Sequence, residues 1–358
     1  MATLFVNHNL NSLRSNPSLT TLSRYSVYTS VKPYLWKELG KDLKSNNSTV
    51  LIIGYQRPKA IRQILEICKT AKVSKIYFSI DAPKLTSSTS SANLVEIKSV
   101  ISEHAPFFDK IFERFLPENV GCAANLLSAC DWVFTNEDFV IIFEDDCIPS
   151  LDFFKFTDSV KDAFDKDSRS MLICGTQFVP VDNLVSNAIK SKYSLTWGWA
   201  TTRDKWNEMR QAIRYAERET RLNIFSLNYE RIYWQEGSRR AALGYVDVWD
   251  TILVKYLVEN NLYAILPQEN LIQNIGNDSV AVHVEPQSQW TQSPVGHFTP
   301  NKIGAVEVSE KAERWLRDNF YIIRRRHLIS TRITRFCDKM KGPNLKSLNS
   351  RWDRASEF

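Results

Sequence analysis

Three adjacent acids, Glu144-Asp145-Asp146, close an unbroken apolar run, Val140-Ile141-Ile142-Phe143. Carboxylates this close repel one another unless a cation or hydrogen-bond donors compensate. Their hard oxygen donors suit Mg2+ or Mn2+, an ion that can also bridge two phosphates. A solvated acidic turn is the plain alternative. The apolar run directly before the acids favours the chemical reading, because a buried strand would deliver them to its end. Two more polar residues follow apolar runs in the same way: Arg57 after Val50–Tyr55 and Asp81 after Lys75–Ile80.

The elements that would hold these residues alternate. Apolar runs at Val50–Tyr55, Lys75–Ile80, Ile111–Phe115 and Phe139–Phe143 read as strands. Helical spacing fits Ala60–Ala71, with Ile61, Ile64, Leu65 and Cys68 on one face, and helices are also expected over Leu94–His104 and Ala123–Thr135. The Ser/Thr-rich segment 84–92 reads as a loop. Strand–helix alternation with unbroken apolar strands predicts an α/β fold, a mostly parallel sheet covered by helices on both faces. Ligands bind beyond the carboxyl ends of strands in such sheets. Arg57, Asp81 and the acid triplet would then share one edge.

Composition narrows the class. With 43% hydrophobic and 24% charged residues, the 358-residue chain fits a globular protein. The six cysteines show no CxxC pairing, which argues against a zinc site or a disulfide framework and for a reducing compartment. No run approaches the roughly 18 to 20 apolar residues that cross a bilayer. Residues 1–37 carry basic residues and serines but no acid, a composition shared by organelle transit peptides and plain polar extensions. The net charge of +6 is concentrated: residues 311–358 hold 13 basic against 5 acidic residues, and the rest 33 against 35. A basic tail on a balanced body argues against a nucleic-acid partner.

In order along the chain, six short motifs resemble those of the GT-A fold glycosyltransferases, in the branch of N-acetylglucosaminyltransferase I and its bacterial relatives. They are LIIGYQRP with Arg57, FSIDAP with Asp81, EDDCIPSLDFFKF, SLTWGWATTRDKW with Gly198-Trp199, YVDVWDTIL with Trp249-Asp250, and NIGNDSVAVH with Gly276 and His283. Each is weak alone; the shared order over residues 49–285 carries the resemblance. It implies a Rossmann-like domain over 48–300, with a nucleotide-sugar half (48–150) and an acceptor half (151–300), between an extension (1–47) and a basic helical tail (301–358). The stretch 207–244 looks longer than its counterpart, so acceptor identity does not carry over, and a Golgi-type anchor is not expected.

What the resemblance implies is a metal-dependent, inverting transfer of a sugar from a nucleotide sugar, UDP-linked before others, to a saccharide or lipid-linked acceptor. Asp146 would bind Mn2+ or Mg2+ with His283, and Asp145 and Glu144 would assist at the donor. Asp81 would contact the base, and Arg57 would offset phosphate or orient Asp81. Gly198 and Trp199 would line the sugar site, unless Trp199 is core. Asp250 would be the general base, with Asp247 the alternative on the same helical face; either could instead be an acid held by a helix N-terminus. His283 could equally be a core or loop histidine. Asn125 is expected to cap or lie on the surface. A sugar-nucleotide nucleotidyltransferase and a non-catalytic nucleotide or carbohydrate binder stay open, although QRPKAIRQ lacks the glycines of a triphosphate loop. Residues 321–336 mix apolar and basic side chains, fitting either a solvated helix or one lying on an anionic membrane. A cytoplasmic protein, peripheral at a membrane if the tail binds one, is the corresponding expectation.

Overall fold

Strand β1 (Thr49–Gly54) is buried along its whole length, so both of its faces must be covered. Leu51 and Ile53 enter one hydrophobic cluster and Val50 and Ile52 another, as the two-residue period of a strand requires. The computed structural model describes residues 48–84, 88–184, 186–218, 228–276, 289–300 and 306–358. Three helices, α1 (Pro58–Thr70), α2 (Ser88–His104) and α3 (Cys122–Phe134), link β1 to β2 (Lys75–Ile80), β3 (Lys110–Phe115) and β4 (Phe139–Glu144). The strands pair in parallel as β3-β2-β1-β4, which needs crossover connections of this kind. The helix α2 begins at Ser88, inside the segment whose composition predicts a loop. Ser and Thr are tolerated in a first helical turn, and the apolar spacing that follows sets the helix.

The second half extends the sheet to eight strands. After the short β5 (Cys147–Pro149) and α4 (Leu151–Lys166) come β6 (Ser170–Cys174), β7 (Ala188–Ser191), β8 (Trp199–Thr202), α5 (Arg203–Tyr215), α6 (Tyr229–Ala242), α7 (Asp250–Asn260) and β9 (Tyr263–Pro267). The full order is β3-β2-β1-β4-β8-β6-β9-β7. Only β8 and β7 run against the others, so the sheet is mixed but mostly parallel. Helices α1, α2 and α4 pack on one face, and α3, α5, α6 and α7 on the other. A separate strand, β10 (Ile272–Asn274), pairs antiparallel with β5.

The C-terminal residues pack back onto this body. After α8 (Glu310–Trp315) and α9 (His327–Lys341), α10 (Leu348–Ala355) buries Leu348, Trp352 and Ala355. The Trp352 indole donates to Asp131 of α3 at 2.9 Å, and Asp131 also accepts from Trp206 and Arg210. Among the described residues, no helix is long and apolar enough to cross a membrane.

Candidate functional site

Parallel register sets the site. Ile53 of β1 lies opposite Glu144 of β4, and Gly54 lies opposite Ile80 of β2. The next residues extend the ladders: Asp81 N–H donates to Gly54 O at 2.9 Å, and Asp145 N–H donates to Ile53 O at 2.8 Å. Arg57, Asp81 and the triplet therefore share the carboxyl edge of the sheet, the edge at which ligands bind in such folds.

The three triplet acids have different surroundings. Asp145 is buried and turned toward β1, where it accepts from Tyr55 N–H at 2.7 Å and Gln56 N–H at 3.3 Å. Arg57 donates to it at 2.9 Å and stands 3.8 Å from Asp146. The expectation had Arg57 offsetting phosphate or orienting Asp81; its described pairing, from the residue before α1, is with Asp145 and Asp146. Glu144 and Asp146 are half-buried and meet thiols: the half-buried Cys122 donates to Glu144 at 3.3 Å and the buried Cys147 to Asp146 at 3.2 Å. Burial, then the neighbouring acids, pushes the pKa values of both Glu144 and Asp146 up. Burial likewise holds both thiols far above their usual range, so they remain donors.

Asp81 is buried and fully engaged. Its carboxylate accepts from the backbone N–H groups of Ala82, Val120 and Gly121 at 2.9–3.0 Å and from the Asn119 amide at 3.1 Å. Burial raises its pKa to about 6 against the pull of those donors. It thus ties the end of β2 to the loop that opens α3. Gly121 is needed there: its φ is +89°, and a Cβ would meet Asp247 Oδ2 at 2.5 Å. Asn125 neither caps nor faces solvent. It is buried and exchanges hydrogen bonds with Ser79 of β2.

The later acids separate. Asp250 is the first residue of α7, buried, with its carboxylate accepting from Thr251 N–H at 2.8 Å. Burial pushes its pKa upward, and its charge in turn raises Glu144, so the two acids are electrostatic neighbours. Asp247 does not share a helical face with Asp250, because α7 starts only at residue 250. Asp247 lies in the preceding loop, where Arg351 of α10 binds it at 2.6 Å and Cys122 N–H donates to it at 3.0 Å.

Gly198 and Trp199 build the frame around these acids. Gly198 has φ +72°, and a Cβ would strike Ile272 at 2.6 Å. Trp199 is core: its ring packs at 5.4 Å from that of Trp249, which stands directly before Asp250. The Gly-Trp and Trp-Asp motifs thus meet through their indoles, and this contact fixes the start of α7. On the far side, Gly276, just past β10, lies so close to Asp146 that a Cβ would clash with its carboxylate. His283 lies outside the described residues. Among those described, no three His, Cys, Asp or Glu side chains converge as a ready metal site. Sequence reasoning missed Asn119, Cys122, Cys147 and Arg351; the glycine at 121 before a helix was the one local signal for the first two.

The fold and site define a mixed α/β protein whose sheet carries an acid-lined edge, with a further buried acid supplied by a later helix. No protein-family model matches the chain, and no curated protein matches it. Among solved structures, the crystal structure of UDP-glucose pyrophosphorylase complexed with UDP-glucose is similar at a TM-score of 0.33 and 8% identity, over 62% of this chain and 90% of that one. A likeness that slight leaves the function to be read from this chain's own residues.

Proposed function

We propose that the chain is a metal-dependent glycosyltransferase of the GT-A type. It moves a sugar from a nucleotide sugar, a UDP-sugar before others, to a hydroxyl of a saccharide or lipid-linked acceptor. The observation that supports this is that the half-buried Glu144, beside Asp146 on the sheet edge, feels the charge of the buried Asp250 from a separate element. One group of acids suits the donor phosphates with a cation; the other suits the acceptor proton. Glu144 and Asp146 fit Mn2+ or Mg2+ by chemistry, as hard oxygen donors whose mutual repulsion a dication would relieve. Asp146 would hold the ion, with His283 from the segment that follows Gly276. When bound, the ion supplies positive charge against the leaving diphosphate.

This chain's own residues do the rest. Asp250 takes the proton from the acceptor hydroxyl, whose oxygen attacks the anomeric carbon as the bond to the nucleoside diphosphate breaks. A single in-line attack inverts that carbon, so an α-linked donor gives a β-linked product. A raised pKa suits a base that works near neutral pH. Asp81 and Asp145, tied to backbone N–H groups, shape the nucleotide side of the edge.

The nucleotidyltransferase alternative asks the loop after β1 to cradle a triphosphate. Here the N–H groups of Tyr55 and Gln56 are given to Asp145, which favours transfer. Thermal shift with UDP-, GDP-, dTDP- and CMP-sugars, with and without Mn2+, tests the donor side. One nucleotide class should stabilise the wild type in the presence of Mn2+, and Asp146→Ala should lose the metal-dependent part. Equal nucleotide affinity with and without Mn2+ in both proteins would rule the metal role out.

A further inference from the structure

The helix α9 is amphipathic the wrong way round. Among the described side chains, those it turns to the protein are polar: His327, Thr331 and Asp338 are buried. Asp338 is gripped by Arg239 and Arg240 of α6, and Arg335 donates to the buried Glu236 of α6 at 2.9 Å. The opposite face carries Ile329, Ile333, Phe336 and Met340, which are 68%, 61%, 67% and 74% exposed. Their spacing of four, three and four residues puts them in one stripe along the helix. A surface helix ordinarily turns such a stripe to the core.

The stripe is not random surface. Six of the thirteen large hydrophobic side chains exposed among the described residues fall within 322–345. Single exposed apolar residues need no explanation, whereas a contiguous group marks a contact surface. Its charge is one-sided. Residues 319–352 contain nine basic residues and one acid, and that acid is the buried Asp338. Arg325, Arg326, Arg332, Lys339 and Lys341 are exposed around the stripe.

We propose that α9 docks this chain on an anionic lipid surface, with the four apolar side chains entering the boundary below the headgroups and the basic residues meeting the lipid charges. Charge complementarity selects the occupant: an apolar stripe flanked along its own segment by exposed basic residues matches a negatively charged bilayer on both counts. A nucleic-acid surface would use the cations and leave the stripe exposed. The inference is independent of the transferase reading, since no residue of the acid edge takes part.

The test is co-sedimentation of the full chain with vesicles of phosphatidylcholine alone and of phosphatidylcholine mixed with phosphatidylserine. The wild type should pellet with the mixed vesicles only, and added salt should release it. Ile333→Asp with Phe336→Asp should cut the partition by roughly tenfold or more, as should Arg332→Glu with Lys339→Glu. All four positions are exposed, so the melting temperature should hold. A wild type that stays in the supernatant with both vesicles, or an Asp double variant that pellets like the wild type, would overturn the proposal. So would a wild-type dimer that this variant renders monomeric without any vesicle binding, which would give the face to a second copy.

Discussion

Asp250 is a carboxylate held where charge is costly. It is buried at the start of α7, and the helix N-terminus and the Thr251 N–H offset only part of the desolvation. Its pKa therefore rises, to about 6. The sign for stability follows: the folded state binds this proton more tightly than the unfolded chain, so folding loses free energy as pH rises through roughly 4 to 6. At neutral pH the charged acid strains the fold. Asp250→Asn should then raise stability at pH 7 by about 1–3 kcal/mol in chemical denaturation, while lowering turnover by roughly 10²- to 10⁴-fold. Loss of stability with full activity would assign Asp250 to structure alone. In the wild type, kcat/KM should fall as pH drops below about 6, when the base takes up its proton before the substrate arrives. A profile flat down to pH 4.5 would contradict that role.

At the scale of elements, the frame of the site depends on contacts between distant segments. The helix α10 sends Arg351 to Asp247 and to Val120 O at 3.1 Å, joining the loop before α7 to the loop before α3. Arg351 is buried and Asp247 half-buried, and removing the guanidinium leaves Asp247 only the Cys122 N–H, so Arg351→Met should destabilise by about 1–3 kcal/mol in urea unfolding. A change under about 0.5 kcal/mol would make α10 a surface appendage. This joint was not legible in the sequence, because Asp247 and Arg351 are far apart along the chain and neither sits in a local pattern. The strands were legible. Val140–Phe143 is apolar without interruption because both faces of β4 are covered, and the acids start where that cover ends. The edge shared by Arg57, Asp81 and the triplet was legible for the same reason. Trp199 read two ways, since an indole suits a sugar face and a core alike; only its packing on Trp249 decides for the core. The helical face imagined for Asp247 and Asp250 failed on a boundary, the least local feature of a helix.

Taken whole, the molecule keeps its like charges together at one edge and its apolar stripe at another surface. The repulsion of Glu144 by Asp146 and Asp250, and of Asp146 by Asp145, costs stability that a bound dication would return. Mn2+ at a hundredfold excess over its dissociation constant should stabilise the fold by about 2.7 kcal/mol, read as a rise in melting temperature. Asp146→Ala should abolish the rise; a rise kept in that variant would move the ion elsewhere. The central claim is sugar transfer, which breaks the donor's anomeric C–O bond, whereas nucleotidyl transfer breaks a P–O bond of its diphosphate. The direct measurement is phosphorus NMR of wild type with a nucleotide sugar, Mn2+ and pyrophosphate, with saccharide and lipid-linked acceptors present. The wild type should release free nucleoside diphosphate, and Asp250→Asn should do so at a greatly reduced rate. Formation of nucleoside triphosphate and sugar 1-phosphate at the expense of pyrophosphate would contradict it.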